Sequence, residues 1–165
     1  MDIVFENKYY SNDDMLSEYI NKVILKKIKI QGFVIATVAL IMVVFSVIRN
    51  NTVYTAIYGV VLFITVTVLL LTPSMTLKQL KESDKKIHRG KKLQTRVQFG
   101  DKIYLSEGTF SLSIEYDQII KQYDLEHSYV LMFGKKNGIL LEPNSFVRGN
   151  FDDFKEFIKL RTNSQ

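Results

Sequence analysis

Two apolar stretches, Ile30–Ile48 and Val53–Thr72, restrict this chain more than anything else in it. They are 19 and 20 residues long and contain no Asp, Glu, Lys, Arg or His. At the helical rise each reaches about 28–30 Å, the thickness of a bilayer's hydrocarbon core. Only Arg49-Asn50-Asn51-Thr52 separates them. The pattern predicts a transmembrane helical hairpin over 30–72. Channels, pumps and transporters usually need an ionisable residue along their pathway, so two spans without one read as an anchor. Gly32 and Ala36 are four residues apart, as are Thr55 and Gly59. Small residues at this spacing let helices approach closely, either within one hairpin or between two copies in a homo-oligomer. Tyr54 and Tyr58 stand where interfacial aromatics are expected.

The formal net charge of +5 is unevenly spread. Residues 1–21 carry one Lys against five acids. Residues 22–29 carry Lys22, Lys26, Lys27 and Lys29 and no acid. Residues 78–92 carry Lys78, Lys81, Lys85, Lys86, Arg89, Lys91 and Lys92 against Glu82 and Asp84. The remainder, 93–165, holds nine bases and ten acids. The basic residues therefore cluster at the two membrane exits, and nucleic acid is not an expected partner. Both clusters lie within the window of the positive-inside rule, which predicts a multi-pass cell-membrane protein with both termini in the cytoplasm. A cleavable leader is not expected, because the first apolar run is too long and follows an acidic segment. The tripeptide Asn50-Asn51-Thr52 matches a glycosylation signal, but it sits in a tight turn and reads as chance.

Ahead of the hairpin, Ile3, Phe5 and Tyr9 alternate with polar residues over 1–10, a strand pattern. That strand could complete an exposed edge of a C-terminal sheet. Ser11 and Asp14 fit a capping box. The positions Met15, Leu16, Tyr19, Ile20, Val23 and Ile24 then follow a helical repeat that is expected to run straight into the first span. Its lysine-rich end reads either as a packing helix with snorkelling side chains or as a surface-lying lipid sensor. Behind the hairpin, Pro73-Ser74 is expected to end the second span. The basic linker 73–92 reads as a stop-transfer flank, as a patch for anionic lipid, or as both.

From Gln94 the period changes. Val97 and Phe99, Ile103 to Leu105, then Phe110, Leu112 and Ile114 mark short strands. Further strands are expected near Ile119–Tyr123, Tyr129–Phe133 and Ile139–Leu141. About six strands result, with Asn137-Gly138 supplying positive φ in a hairpin turn and Pro143 closing the last one. Asn150 can cap a final helix, whose acids come early, whose bases come late, and whose Phe151, Phe154, Phe157 and Ile158 share a face. The fold class expected is a membrane α-helical hairpin plus a small α+β domain over 93–165. That domain reads as an antiparallel, pleckstrin-homology-like β-barrel or curved sheet capped by the C-terminal helix.

The order of these elements resembles a known family. A two-span hairpin and basic linker precede Val97-Gln98-Phe99-Gly100-Asp101 and Ser113-Ile114-Glu115-Tyr116-Asp117-Gln118-Ile119. Tyr129-Val130-Leu131-Met132-Phe133, Leu141-Glu142-Pro143-Asn144-Ser145-Phe146 and the Phe154–Leu160 helix follow. This series is similar to the YcxB-like proteins of bacteria, over essentially the whole chain. It departs from their pattern at Asn144, where a basic residue is expected. The abundance of Lys, Ile and Asn also suits an AT-rich bacterial genome. The resemblance implies a pleckstrin-homology-like domain facing the inner leaflet, and no reaction.

No catalytic constellation is legible. The chain has no Cys and two His, His88 and His127, without a metal-ligand partner at helical spacing. Glu115, Asp117, Asp124 and Glu126 are spaced as solvent-face residues. A non-enzymatic protein without metal or cofactor is expected, binding the bilayer through its spans and another membrane protein or peptide through its soluble part. The alternative is an anionic-lipid or envelope-stress sensor working through Lys26, Lys27, Lys29, Lys78, Lys81, Lys85, Lys86, Arg89, Lys91 and Lys92, with Lys135 and Lys136 as further contacts.

Overall fold

The computed structural model of the chain describes residues 2–88, 93–135 and 137–162. Two compact units form. One holds the N-terminal segment to Tyr19 together with the chain from Glu82 onward, and the other is Ile20–Lys81.

The second unit is the hairpin. Its helices are α2 (Lys26–Ile48) and α3 (Thr52–His88), both long and apolar enough to cross a membrane. Two asparagines make the tight turn between them. Asn50 takes the left-handed backbone, φ 50°, that ends α2. Asn51 then accepts the Tyr54 N–H on its Oδ1 at 3.2 Å, capping α3. Small side chains line the seam between the helices. A Cβ on Gly32 would meet Leu69 Cδ2 at 2.5 Å, and the hydroxyls of Ser46 and Thr55 share a hydrogen bond of 2.9 Å. Gly59 has open space beside it instead, so it is not part of this packing.

Pro73 does not stop the second helix, which continues to His88. A proline removes one N–H and leaves one carbonyl unserved, a local loss within a long ladder. The unserved carbonyl is that of Leu69, and the threonine hydroxyls nearby bond its neighbours instead, Thr72 to the Val68 carbonyl at 2.6 Å and Thr76 to the Thr72 carbonyl at 2.8 Å. The expected linker 73–92 is therefore helical as far as it is described. The entry to the first span differs as well. Instead of one continuous helix, α1 (Asp13–Tyr19) gives way to a π-turn at Ile20–Ile24, where the Leu25 N–H donates to the Ile20 carbonyl at 2.8 Å. Asn12, not Ser11, caps α1 by accepting the Met15 N–H at 2.9 Å.

The first unit is built on eight strands among the described residues. They are β1 (Phe5–Tyr10), β2 (Gln94–Phe99), β3 (Ile103–Glu107), β4 (Phe110–Ile114), β5 (Lys121–Asp124), β6 (Tyr129–Met132), β7 (Gly138–Leu141) and β8 (Phe146–Arg148). A five-stranded antiparallel sheet has the order β4-β3-β2-β1-β8, and a second sheet has the order β5-β6-β7. The N-terminal strand belongs to this sheet, but it lies inside it rather than at an edge. It pairs with β2 from Phe5 opposite Phe99 to Tyr10 opposite Gln94, and with β8 on its other side.

The expected barrel does not close. A 3₁₀ turn at Tyr116–Gln118 separates β4 from β5. A Pro143 turn, with the Ser145 N–H on the Glu142 carbonyl at 3.0 Å, diverts the chain from β7 to β8. The ladder breaks at both corners and two sheets result. Gly138 does not take the expected positive φ. Glycine is needed at 138 for space, since a Cβ there would meet Met132 Sδ at 2.8 Å. Gly149 has both constraints, a φ of 74° and Phe5 Cδ1 at 2.2 Å from any Cβ.

The core joins the inward faces of both sheets to Met15 of α1 and to Phe154 and Ile158 of the C-terminal helix α4 (Phe151–Thr162). Asn150 caps that helix as expected, accepting the Asp153 N–H at 2.8 Å. Asn7 is the one polar residue of β1 that points inward. It is fully buried, and it donates to the Glu142 carbonyl at 2.8 Å while accepting the Glu142 N–H at 3.3 Å. It thereby stitches β1 to the chain leaving the smaller sheet.

Candidate partner-binding surfaces

Three features could meet a partner: the basic end of the hairpin, the junction of α1 with the β5–β6 loop, and the free sheet edges. In the hairpin, Lys26, Lys27 and Lys78 are exposed, whereas Lys29 and Lys81 are half-buried. Lys29 donates to Asn21 Oδ1 at 2.7 Å, so it is tied to the π-turn rather than presented outward. The side chains of Lys85 and Lys86, together with Arg89, Lys91, Lys92 and Lys136, lie outside the described residues.

At the α1 junction, Glu18 is buried and grips two successive backbone amides. Its carboxylate oxygens accept the N–H groups of Glu126 and His127, each at 2.9 Å. Charged acceptors on backbone N–H groups are among the stronger hydrogen bonds. No periodicity in the sequence marks Glu18, because its partners lie more than a hundred residues away. Glu18→Gln keeps one acceptor and turns an NH₂ toward the other amide. We expect it to lower unfolding stability by about 2–3 kcal/mol, read as a shifted urea midpoint of the full-length protein in micelles. Hydrogen exchange at Glu126 and His127 should speed up alongside. An unchanged midpoint with unchanged exchange would refute the role of this latch.

The edges among the described residues are β4 and β8 in the larger sheet, and β5 and β7 in the smaller. Beside β5 lies a groove of about 390 Å³, walled by Ile119 to Gln122 on one side and by Lys159 and Thr162 of α4 on the other. A chain of hydrogen bonds ties its two walls together. The Tyr129 hydroxyl donates to Gln122 Oε1 at 2.6 Å, Gln122 Nε2 donates to Thr162 Oγ1 at 2.7 Å, and Thr162 Oγ1 donates to the Ile158 carbonyl at 2.8 Å. Ile120 stands 64% exposed on the rim. The sequence places Ile120 in a strand region but gives no sign that its side chain faces water.

The carboxylates Glu115, Asp117, Asp124 and Glu126 serve separate local structures. Glu115 pairs with Lys102 and caps the 3₁₀ turn, and Asp124 pairs with Lys155 at 3.6 Å. Asp117 lies within that turn, and the backbone of Glu126 is held by Glu18. In β1, burial raises the Glu6 carboxyl, but hydrogen bonds from Arg96 and Lys8 outweigh it and hold the group below its ordinary value.

Two tyrosines set an alkaline limit. Burial pushes the hydroxyls of Tyr116 and Tyr129 up to about 12, from an ordinary 10.0. Asp124 adds to the rise at Tyr129. The folded state thus holds these protons more tightly than the unfolded chain does. Their contribution is complete below pH 10 and is lost as pH climbs toward 12. Alkaline unfolding should fall in that window, with the NMR ring resonances of Tyr116 and Tyr129 moving to their phenolate positions in the same transition, and ordinary titration of these two ahead of unfolding would contradict it.

Compared with known proteins, the chain matches no family model, no curated protein and no solved structure.

Proposed function

We propose that this protein is a non-enzymatic, membrane-anchored binding module of the YcxB-like kind. Its α1 and sheet unit faces the cytoplasm, where it engages another membrane protein or peptide as an adaptor or protective factor. The observation that carries the reading is the place of β1 in the sheet. Strands from before and after the apolar hairpin share one ladder, which supports a hairpin with both flanks on one side of the bilayer. The lysine-rich ends of the two helices favour the cytoplasmic side. A unit fixed there meets other membrane proteins at raised effective concentration.

In-cell cross-linking of the tagged full-length protein, gentle extraction and identification of adducts tests this. A discrete foreign protein in near-stoichiometric yield supports the module. Self-adducts alone, or none, overturn it.

The exposed ammonium groups of Lys26, Lys27 and Lys78 favour a second reading, a sensor of anionic lipid. Anionic liposomes should then bind the protein with a steep fall in salt, and salt-independent or absent binding removes that reading.

A further inference from the structure

We infer that the groove between β5 and α4 is the docking site for an extended, acidic segment of a partner protein, which adds to the smaller sheet as a strand beside β5. The inference rests on the binding-module reading above and gives it a place and a chemistry.

Geometry supplies the first argument. β5 pairs with β6 along one side, and its other side borders the groove. Each strand edge carries unpaired backbone N–H and C=O groups, and natural proteins usually cover, shorten or charge such edges. An incoming strand satisfies these groups through its own backbone, which gives affinity without demanding one sequence.

Apolar exposure and charge supply the second. Ile120 presents a large apolar side chain to water on the rim. Lys121 and Lys159 flank the groove, one from each wall. Neither has a carboxylate partner among the described residues, whereas Lys155, one turn earlier on α4, is paired with Asp124 and Asp152. Two ammonium groups without a carboxylate partner, beside an apolar rim, complement a strand that alternates apolar and acidic residues. Gln122 and Asp124 reach α4, so by alternation Ile120 shares their face, while Lys121 lies with Tyr123 on the opposite one. One side of such a strand covers Ile120 on the α4 face and the other meets Lys121, with Lys159 adding to the positive field.

The third argument is preorganisation. The Tyr129–Gln122–Thr162 relay holds β5 against the last turn of α4. The groove therefore needs little ordering before a strand enters it, which removes part of the entropic cost of binding.

The test uses the full-length protein in neutral-detergent micelles and a fluorescein-labelled decapeptide alternating valine and glutamate, read by fluorescence anisotropy. Saturable binding is expected. It should weaken about tenfold or more in Ile120→Asp and in the Lys121→Glu/Lys159→Glu pair. Exposed positions were chosen so that folding is retained, and the circular dichroism spectrum checks it. A peptide with proline at alternate positions loses the strand hydrogen bonds and should weaken to a similar extent.

Absence of saturable binding up to about 1 mM overturns the proposal. So does equal binding of a lysine-for-glutamate peptide, or affinity that ignores these variants. Displacement of the label by phosphatidylglycerol vesicles, with proline having no effect, would reassign the lysines to lipid and equally overturn it. Failure here with a foreign adduct still captured in cells would leave the module standing and move its site elsewhere. Failure of both would remove the module itself.

Discussion

Removal of residues 1–10 is expected to abolish cooperative unfolding of the sheet unit. β1 is bonded on both sides, to β2 and β8, so its loss opens the five-stranded sheet in the middle. The same deletion takes Phe5 and Tyr9 out of the core. It also leaves the Glu142 backbone groups without Asn7 and the Leu140 carbonyl without the Tyr9 hydroxyl. Each buried orphan costs about 1–3 kcal/mol, and each aromatic about 3–5 kcal/mol. Together they come to about 9–19 kcal/mol, enough to cancel the roughly 5–15 kcal/mol that stabilises a domain of this size. A fragment of residues 93–165 should therefore give a collapsed NMR spectrum and a broad urea response. Joining residues 2–19 to it through a long glycine–serine linker should restore dispersed peaks and a single sharp transition. A cooperative transition from 93–165 alone would refute the account.

Phe154→Ala is expected to be the most damaging single substitution in the core. The ring is fully buried and lies against four others: Phe99 at 4.6 Å, Phe146 at 5.1 Å, Phe5 at 5.7 Å and Tyr129 at 5.9 Å between centroids. These four come from both sheets, so no single neighbour can move to fill the space. Truncation should cost about 3–5 kcal/mol, with edge-to-face contacts adding to the lost burial. Leu160 on the same helix is 72% exposed, and Leu160→Ala should stay within about 0.5 kcal/mol of the parent. Urea unfolding followed by tyrosine fluorescence compares the two, and equal midpoints would show that the five-ring cluster does not hold the unit together.

The parts of this fold legible from sequence are those whose signal is local. The apolar runs announce α2 and most of α3 because a helix needs only its own residues to state its length and polarity. The Phe stripe of α4 and its Asn150 cap are likewise written within a few turns. Six of the strands described after Gln94 follow from alternation and turn residues, whereas β8 (Phe146–Arg148) is not among those expected.

What was not legible depends on distant partners. Nothing near Phe5 says that it pairs with Phe99, and the polar Asn7 hides that β1 is buried on its inner side. A closed barrel is the natural reading of consecutive strands, and only the two corner turns, at Tyr116–Gln118 and at Pro143, break the ladder. Pro73 reads as a terminator because proline lacks an N–H, yet one missing bond does not end a long helix, and α3 runs on to His88. The groove beside β5 was the least legible feature, since it arises from where α4 ends against β5.

The split of the sheet across the hairpin also has a consequence for biogenesis. β1 leaves the ribosome before β2 and β8 exist, so it must stay unpaired until both apolar helices have been made. Until then its backbone groups have no ladder to join, and β2, once made, has no cover for Val97 and Phe99 on the β1 side. A sheet that takes an inner strand from the start of the chain and its neighbour β8 from near the end cannot be assembled in stages, because its ladder closes only after nearly all of the chain has been synthesised.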